Sequence, residues 1–386
     1  MARRPNVMVA SLANLDWVLL GTLAAILTVG MTVLYAATHT LDPYVGQQYF
    51  NRQWLSLAVG LVGAGLAYAV PWRLHYHAAP VYYVAGLVAL AALELLVHGR
   101  VTRWLMFGGI SAQPSEFVKF FTLAMLSRHL ADRPRTAGVG HLVLTVLMAA
   151  VPALLVLREP DLGTSLVFSA LLVALLLWSG VEWIGLVVLL SPLVSLISAI
   201  HPLAWGIFFT VMLAFLLYMR VGAKLFAYAF VINLAIGAAV PTIWESLHDY
   251  QKDRLLIFVN PSLDPLGRGY QILQSQAAVG SGGVIGRGDL GTQTSMAFLP
   301  ERHTDFIFGV LGERYGLIGG IVLLALYGVL IWRGYWIASM ARNSFASLLA
   351  CGITTIFAFQ TFVNIGMTLG IMPVTGFPLP LVSYGG

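Results

Sequence analysis

The stretch FLPERHTDFIFGVLGERYGLIGGIVLLALYGVLIW, from Phe298 to Trp332, decides the fold class of this chain. After its first eight residues it is an almost uninterrupted apolar run, longer than the roughly 18 residues that mark a bilayer-spanning helix. Four ionisable side chains stand just before the run, at Glu301, Arg302, His303 and Asp305. Such a cluster at the mouth of a membrane span requires an explanation beyond anchoring in lipid.

The composition of the whole chain indicates the same class. Of its 386 residues, 59% are hydrophobic and 10% are charged, and the mean hydropathy is +0.85. These values predict an all-α polytopic membrane protein. The formal charge of +5 comes from basic residues scattered among short loops, which favours membrane topology over nucleic-acid binding. The single cysteine, Cys351, excludes a disulfide framework and a thiolate metal cluster.

Eleven apolar segments are candidate transmembrane helices, and no internal repeat is evident. They lie near residues 15–37, 54–70, 79–98, 114–130, 140–157, 162–180, 182–200, 203–219, 224–243, 305–332 and 345–370. The first segment is longer than the roughly 7 to 15 residues of a signal-peptide core. We therefore expect it to be a retained first helix.

The basic residues predict the orientation of the chain. With Arg3 and Arg4 in the cytoplasm, the alternation of spans puts the other basic loops on that same side. Those loops contain Arg73, Arg128, Arg133, Arg135, Arg220, Lys224, Arg333 and Arg342. The N-terminus is therefore expected in the cytoplasm, and the polar chemistry is expected on the extracytoplasmic face.

Residues 244–304 are expected to form a large, ordered extracytoplasmic loop. Its NPSLDPLGRG and GSGGVIGRGDLG stretches are rich in turn formers, and YQKDRLLIF and GYQILQSQAAV are typical of short interfacial helices. The run from Gly286 to Gly291 matches G-x-G-x-x-G, but no predicted strand precedes it. A nucleotide site is therefore not expected there.

Charged residues also stand where lipid is expected. Glu116 and Lys119 lie three residues apart in QPSEFVKF, on one face of the fourth predicted helix. They either pair with each other or face a wet cavity. If they form a buried pair, loss of one residue harms the protein more than loss of both. Glu94 and His98, one turn apart, are interpreted as interfacial residues.

The corner REPDLGTS joins two apolar runs and contains Arg158, Glu159 and Asp161. Asp161 is a candidate N-cap of the following helix, as Asp16 is for the first span. Capping does not explain Arg158 or Glu159.

Helix capping likewise explains only part of the opening cluster. Thr304 or Asp305 is a candidate N-cap of the span that follows, but a cap needs one residue. The cluster lies on the predicted side where Arg103, Lys119 and Arg158 also emerge. Opposite charges that converge around a partly dry cavity suit general-base chemistry on an anionic substrate.

Five motifs together resemble the shape, elongation, division and sporulation (SEDS) family. They are QPSEFVK, REPDLGTS, DPLGRGYQILQSQAAVGSGG, FLPERHTDFIF and GFPLPLVSYGG, in this order. The resemblance covers most of the chain as a single SEDS-type transmembrane domain. Within the family, GTQTSMAFLPERHTDFIFGVLGE is more similar to the elongation branch, RodA, than to the division branch, FtsW.

The resemblance implies a glycosyltransferase that polymerises lipid II into peptidoglycan strands during cell elongation, in the bacterial plasma (inner) membrane. It implies two kinds of partner: a class B penicillin-binding protein, which is the crosslinking transpeptidase, and the membrane proteins of the elongation complex. The family's essential aspartate falls on Asp305. As general base, Asp305 would take the proton from the acceptor sugar's 4-hydroxyl, with inversion at the donor carbon and undecaprenyl pyrophosphate leaving.

The resemblance also implies a substrate-binding set around Asp305. Basic residues would stabilise the developing pyrophosphate charge, with or without a divalent cation such as Mg²⁺ or Mn²⁺; they are Arg103, Lys119, Arg158 and Arg302. The other candidate substrate-binding residues are Glu116, Glu159, Asp161, Gln271, Ser275, Glu301, His303 and Ser383. No other cofactor is expected.

Three departures from the family pattern stand out. The family has seven spans before the large outer loop and three after it, whereas this chain has nine and two candidate spans. Residues 201–243 are therefore expected to be an inserted helical hairpin. The family continues into one more span after SYGG, which predicts that this sequence is truncated or incomplete. Arg314 stands where the family commonly has a second acidic residue.

Two rival functions follow from the same residues. A lipid II flippase, which is a transporter, also contains intramembrane charges and broken helices. A membrane scaffold would only hold the transpeptidase. The product of the reaction separates the three functions, since only a polymerase makes glycan chains from lipid II in detergent.

Overall fold

The computed structural model describes residues 15–39, 43–96, 105–107, 110–132, 139–159, 161–199, 201–246, 264, 269–288 and 303–385. Within these ranges the chain forms twelve α-helices and one short β-hairpin. The elements are α1 (Trp17–His39), α2 (Pro43–Ala69), α3 (Trp72–Leu96), β1 (Leu105–Phe107), β2 (Ile110–Ala112), α4 (Pro114–Ala131), α5 (Val139–Arg158), α6 (Leu162–Trp178), α7 (Trp183–Ser198), α8 (Pro202–Tyr218), α9 (Ala223–Ser246), α10 (Tyr270–Ser281), α11 (Ile307–Met340) and α12 (Ser344–Thr368).

Six of these helices are long and apolar enough to cross a membrane. They include α1, α3, α5, α9, α11 and α12. The helical class is thus confirmed, with one correction: β1 and β2 pair in antiparallel register inside the predicted 99–113 loop. A strand pair this short escapes hydropathy patterning because neither strand shows a sustained alternation.

Two helix bounds differ clearly from the predicted spans. Helix α2 begins at Pro43, eleven residues before the predicted start at 54. Its first turns contain YVGQQYFNRQ, which is too polar to mark a span but contains no proline after the first helical position. Helix α11 continues to Met340, beyond the predicted end at 332, because no proline interrupts WRGYWIASM.

The described chain divides into two compact units. Unit 1 consists of residues 1–175 and 270–386, and unit 2 consists of residues 176–269. In unit 1, the core forms where α1, α11 and α12 meet, around residues such as Leu34, Tyr327 and Ile365.

Asp16 confirms the predicted cap of α1 and adds an ion pair. Its carboxylate accepts a hydrogen bond from the Leu19 backbone N–H (3.0 Å) and pairs with the Arg333 guanidinium (2.5 Å). The Leu19 hydrogen bond, with Arg333 beside it, holds the pKa of Asp16 below its ordinary value. The ion pair joins the start of α1 to the far end of α11.

Helix α11 is broken at Gly316, which has φ 64° and ψ −161°. The break frees backbone N–H groups, and the turn after α10 satisfies them. Leu317 donates to the carbonyl of Gly283 (2.9 Å), and Ile318 donates to that of Val284 (3.2 Å). A β-carbon at Gly316 would lie 2.4 Å from the Gly286 nitrogen. Only glycine fits this position, because the positive φ disfavours other residues and the neighbouring backbone leaves no room for a side chain.

Unit 2 contains α7, α8 and α9, which pack against one another. Its interior contains a neutral polar network. The Asn233 amide donates to the Ser191 hydroxyl (2.7 Å) and to the Ala229 carbonyl (2.8 Å), and the Trp205 indole donates to Ser195 (3.0 Å). Helices α8 and α9 occupy the predicted hairpin 201–243. That this hairpin is an insertion stays a prediction.

Candidate functional site

Asp305 lies in a tight turn immediately before α11. The helix begins at Ile307, and Phe306 occupies the N-cap position without a side-chain cap. The N-cap position thus falls on Phe306, one or two residues after the Thr304 and Asp305 that the sequence suggested. The chain enters the helix through the turn at residues 303–306.

Three consecutive backbone carbonyls, those of His303, Thr304 and Asp305, are held by residues that follow much later in the chain. The Tyr384 N–H donates to His303 (2.9 Å). The Ser383 hydroxyl donates to Thr304 (2.5 Å), and the Asn364 amide donates to Asp305 (2.8 Å). We call this arrangement the 303–305 clasp. It fixes the backbone of the candidate base against α12 and residues 375–385.

The Asn364 side chain is fully buried and joins two segments. Besides the Asp305 carbonyl, its Nδ2 donates to the carbonyl of Phe377 (2.6 Å). Next to Phe377, Gly376 has φ 75°, and a β-carbon there would lie 3.6 Å from Oδ2 of Asp305. The carboxylate of Asp305 therefore lies beside the backbone of Gly376, and Asp305 as a whole residue is partly exposed.

Lys119 provides a buried cation in unit 1. Its ammonium lies 2.8 Å from the Glu116 carboxylate, and the side chains are 1% and 45% exposed, respectively. It also lies 5.8 Å from the centre of the Phe377 ring, a cation–π geometry. Gly163, at the start of α6, packs on the same ring. Phe377 thus links α4 and α6 to the 303–305 clasp.

The predicted cap at Asp161 is present. Its carboxylate accepts hydrogen bonds from the Thr164 N–H (3.0 Å) and from the Gln113 amide (2.9 Å). Arg158, by contrast, pairs with Glu94 (3.1 Å), and these side chains are 70% and 39% exposed. Glu159 follows at the end of α5, where its N–H donates to the Val156 carbonyl (3.1 Å). Asp161 and Arg158 are thus engaged in structural contacts.

Ser275 and Ser383 also make structural contacts. The buried Ser275 hydroxyl donates to the Thr368 carbonyl at the end of α12 (2.8 Å). The Ser383 hydroxyl, besides its bond to Thr304, accepts from the Leu379 N–H (2.7 Å). Gln271 lies on α10 and is partly exposed.

His303 belongs to an aromatic group at the clasp. Its ring centre lies 4.7 Å from that of Tyr49 and 5.8 Å from that of Tyr384. Arg103, Glu301 and Arg302 lie outside the described residues, so the structure places only part of the predicted cluster.

Asn364 and Glu313 are among the buried polar residues of unit 1 that sequence reasoning missed. Asn364 stands inside the apolar α12, and Glu313 is fully buried inside α11. A polar residue in an apolar span is the signal that could have identified both. Within the part of the chain that the structure describes, no group of three or more His, Cys, Asp and Glu side chains could hold a metal ion.

The geometry suits a base on a rigid frame. The carboxylate of the partly exposed residue Asp305 stands on a backbone whose carbonyls are held by hydrogen bonds, in the same unit as a buried ammonium. A fixed carboxylate can remove a proton from a bound hydroxyl, and a preorganised cation can stabilise negative charge that develops nearby.

Comparison with known proteins gives consistent matches over nearly the whole chain. The model of the cell cycle protein family that comprises FtsW, RodA and SpoVE matches residues 16–206 and 202–386. The peptidoglycan glycosyltransferase MrdB of Escherichia coli (strain K12) is 36% identical over 378 residues, covering 97% of this chain and 89% of the relative. The peptidoglycan glycosyltransferase RodA of Treponema pallidum (strain Nichols) is 30% identical over 413 residues, covering 98% and 95%.

A solved structure is similar as well. It belongs to a peptidoglycan synthase complex described as coordinating polymerization and crosslinking. The TM-score is 0.71 at 30% sequence identity, covering 96% of this chain and 92% of the other.

Proposed function

The chain belongs to the FtsW, RodA and SpoVE family, named SEDS above, and we propose that it acts as a peptidoglycan glycosyltransferase of cell elongation, with lipid II as its substrate. The relatives MrdB and RodA are named peptidoglycan glycosyltransferases. The observation that carries the proposed mechanism is the 303–305 clasp, which holds the backbone of the partly exposed residue Asp305.

Asp305 acts as the general base in this proposal. Its carboxylate takes the proton from the acceptor sugar's 4-hydroxyl as that oxygen attacks the donor's anomeric carbon. The bond from this carbon to the pyrophosphate oxygen breaks, and undecaprenyl pyrophosphate leaves with the electron pair. Attack from the opposite face inverts the anomeric centre. General-base catalysis of this kind contributes roughly 10²- to 10⁴-fold to the rate.

Basic residues stabilise the charge that develops on the leaving group. Lys119 is buried beside Phe377, which supports its role near the clasp. Arg158 is exposed and paired with Glu94, so it would have to exchange this partner for the substrate. Arg103 and Arg302 complete the predicted cationic set. A divalent cation at the site stays a prediction, and no step of the proposal passes through one.

The remaining membrane assignments are part of the same proposal. Eleven apolar helices span the plasma membrane, with the N-terminus in the cytoplasm and residues 244–304 outside. The Asp16–Arg333 ion pair supports this topology, because it joins two ends that the charge distribution assigns to the cytoplasmic side. A class B penicillin-binding protein and the membrane proteins of the elongation complex are the proposed partners, and the similarity to a chain of a synthase complex supports the first of them.

The topology is tested at the turn after α10. Arg287 is exposed and the chain's single cysteine is buried, so Arg287→Cys introduces a reactive thiol over a low background. We expect a membrane-impermeant maleimide to label this variant in intact spheroplasts. Labelling that occurs only after lysis would contradict the orientation.

The activity is tested with the purified chain and its transpeptidase partner in detergent. Lipid II should be converted to glycan polymer, and the near-isosteric Asp305→Asn should lose about 10²- to 10⁴-fold in rate, because an amide cannot accept the proton. A flippase would require a sealed bilayer to show activity, and a scaffold would form no polymer. Comparable polymerisation by folded, partner-bound Asp305→Asn would show that the base is another group, such as Glu301.

A further inference from the structure

We propose that Asn364 is a positioning residue of the reaction, which sets the carboxylate of Asp305 by joining the carbonyls of Asp305 and Phe377 through one amide group. The proposal deepens the function above and rests on Asp305 as the base. Asn364 lies on α12, 59 residues after Asp305 and 13 residues before Phe377. One side chain therefore connects three separate segments.

The amide orientation follows from its partners. Nδ2 faces two carbonyl oxygens, at 2.8 Å and 2.6 Å. Both are acceptors, so the opposite orientation would place Oδ1 against them and lose both hydrogen bonds. An asparagine amide has two N–H groups, and here each has one carbonyl. An apolar side chain of similar size supplies neither donor.

Burial makes these two hydrogen bonds hard to replace. Asn364 is 0% exposed, so a carbonyl that loses its donor does not gain free access to bulk water. The segment would have to rearrange to find another partner. We therefore expect the turn at residues 303–306 and the strip at residues 375–377 to separate when the amide is absent.

Such a separation acts directly on the carboxylate. Phe377 follows Gly376, whose backbone lies beside Oδ2 of Asp305. The same amide thus fixes the backbone of the base and the backbone that borders its reactive oxygen. A displacement of about 1 Å in a catalytic group can cost on the order of 10²-fold in rate.

The chain offers a matched control on the same helix. Thr361 lies three residues before Asn364 and is also buried. Its hydroxyl has no hydrogen-bond partner within the described residues. Thr361→Val removes a buried polar atom of α12 without removing a bond to the clasp, so it reports the effect of altering the helix alone.

The experiment measures kcat and KM for lipid II polymerisation by the full chain bound to its transpeptidase. We expect Asn364→Leu to lower kcat by about 10- to 100-fold and to change KM by less than about threefold, since geometry is lost rather than binding. Thr361→Val should stay within about twofold of the parent in both constants. A smaller second variant, Asn364→Ala, avoids overpacking and should reproduce the loss in kcat.

A double-variant cycle separates positioning from an independent effect. If Asn364 acts through Asp305, Asn364→Leu should cause little further loss in the Asp305→Asn background. Fully multiplicative losses would overturn the proposal, as would a normal kcat in Asn364→Leu. Loss of folding in both Asn364 variants, measured by partner binding and by thermal unfolding, would also overturn it, because the residue would then be structural. An active Asp305→Asn would instead show that the proposed base is wrong.

Discussion

Units 1 and 2 each contain a fully buried asparagine whose amide donates twice. Asn364 in unit 1 donates to the carbonyls of Asp305 and Phe377, which belong to non-helical segments. Asn233 in unit 2 donates to a serine on a neighbouring helix and to the carbonyl of Ala229 on its own helix. The same group therefore fixes irregular backbone in unit 1 and the packing of two regular helices in unit 2. The acceptor, rather than the asparagine, indicates which role to expect.

The units also differ in the charge that they bury. Lys119 is a buried cation of unit 1, whereas the buried polar side chains of unit 2 within the described residues are neutral: Ser191, Ser195 and Asn233. A buried charge depends on its partner far more than a neutral group does. Variants near the clasp and the charged pair of unit 1 should therefore affect activity as well as stability, whereas variants in unit 2 should affect stability alone.

The largest effect on stability is expected from Glu116→Ala, which leaves the buried ammonium of Lys119 without its carboxylate. We expect the free energy of unfolding to fall by about 2 to 3 kcal/mol, which is less than for a fully buried pair because Glu116 is partly exposed. The side-chain exposures refine the expectation that losing either residue of the pair harms the protein more than losing both. Lys119→Ala should be milder than Glu116→Ala, since the carboxylate of Glu116 that remains reaches solvent. Thermal unfolding of the two single variants and the double variant measures this. A Glu116→Ala protein as stable as the parent would contradict a buried pair.

Asn233→Leu should come next, with a fall of about 1 to 2 kcal/mol in the free energy of unfolding, because the buried Ser191 oxygen and the Ala229 carbonyl each lose the donor that Asn233 supplies. The Ser191 hydroxyl keeps its own bond to the Val188 carbonyl. The variant's specific polymerisation rate should stay within about twofold of the parent, in contrast to Asn364→Leu. Thermal unfolding and the polymerisation assay on the same preparation give both values. A large fall in kcat without a loss of stability would contradict the expectation that unit 2 variants affect stability alone.

Two helix glycines give a smaller, paired test. A β-carbon at Gly30 would lie 2.6 Å from the Leu381 carbonyl, whereas one at Gly237 would meet the Trp205 ring. In both alanine variants the free energy of unfolding should fall by about 1 kcal/mol, since the cost of overpacking is partly offset by the higher helix propensity of alanine. Only Gly30→Ala should lower the polymerisation rate, because Leu381 leads into the clasp at Ser383. Equal rates in both variants would show that displacement near the clasp is harmless.

The smallest change in stability is expected from Arg158→Gln. Its ion pair with Glu94 is largely exposed, and such pairs contribute about 0 to 1 kcal/mol. If Arg158 binds the pyrophosphate, KM should nevertheless rise. A variant with unchanged stability and unchanged kinetics would remove Arg158 from the substrate-binding set.

The sequence predicted features that depend on local pattern. Apolar runs placed the helices, and the spacing of Glu116 and Lys119 placed both on one face. Features that depend on distant contacts were not predictable in this way. Asn364 meets Asp305 across 59 residues, and nothing in NIGM indicates that partner. The break at Gly316 was not predictable because LGERYGLIGG lies in a mostly apolar run and contains no proline. The backbone N–H groups that the break frees are satisfied by the carbonyls of Gly283 and Val284, which lie far away in sequence.

The 303–305 clasp also has a consequence for the order of biosynthesis. The ribosome produces the three carbonyls first, and their donors at Asn364, Ser383 and Tyr384 follow about 60 to 80 residues later. A nascent chain therefore exposes Asp305 before any of these donors can hold it. The complete clasp can form only after the last donor has left the ribosome. If Asp305 is the base, as we propose, partially synthesised chains should therefore be inactive.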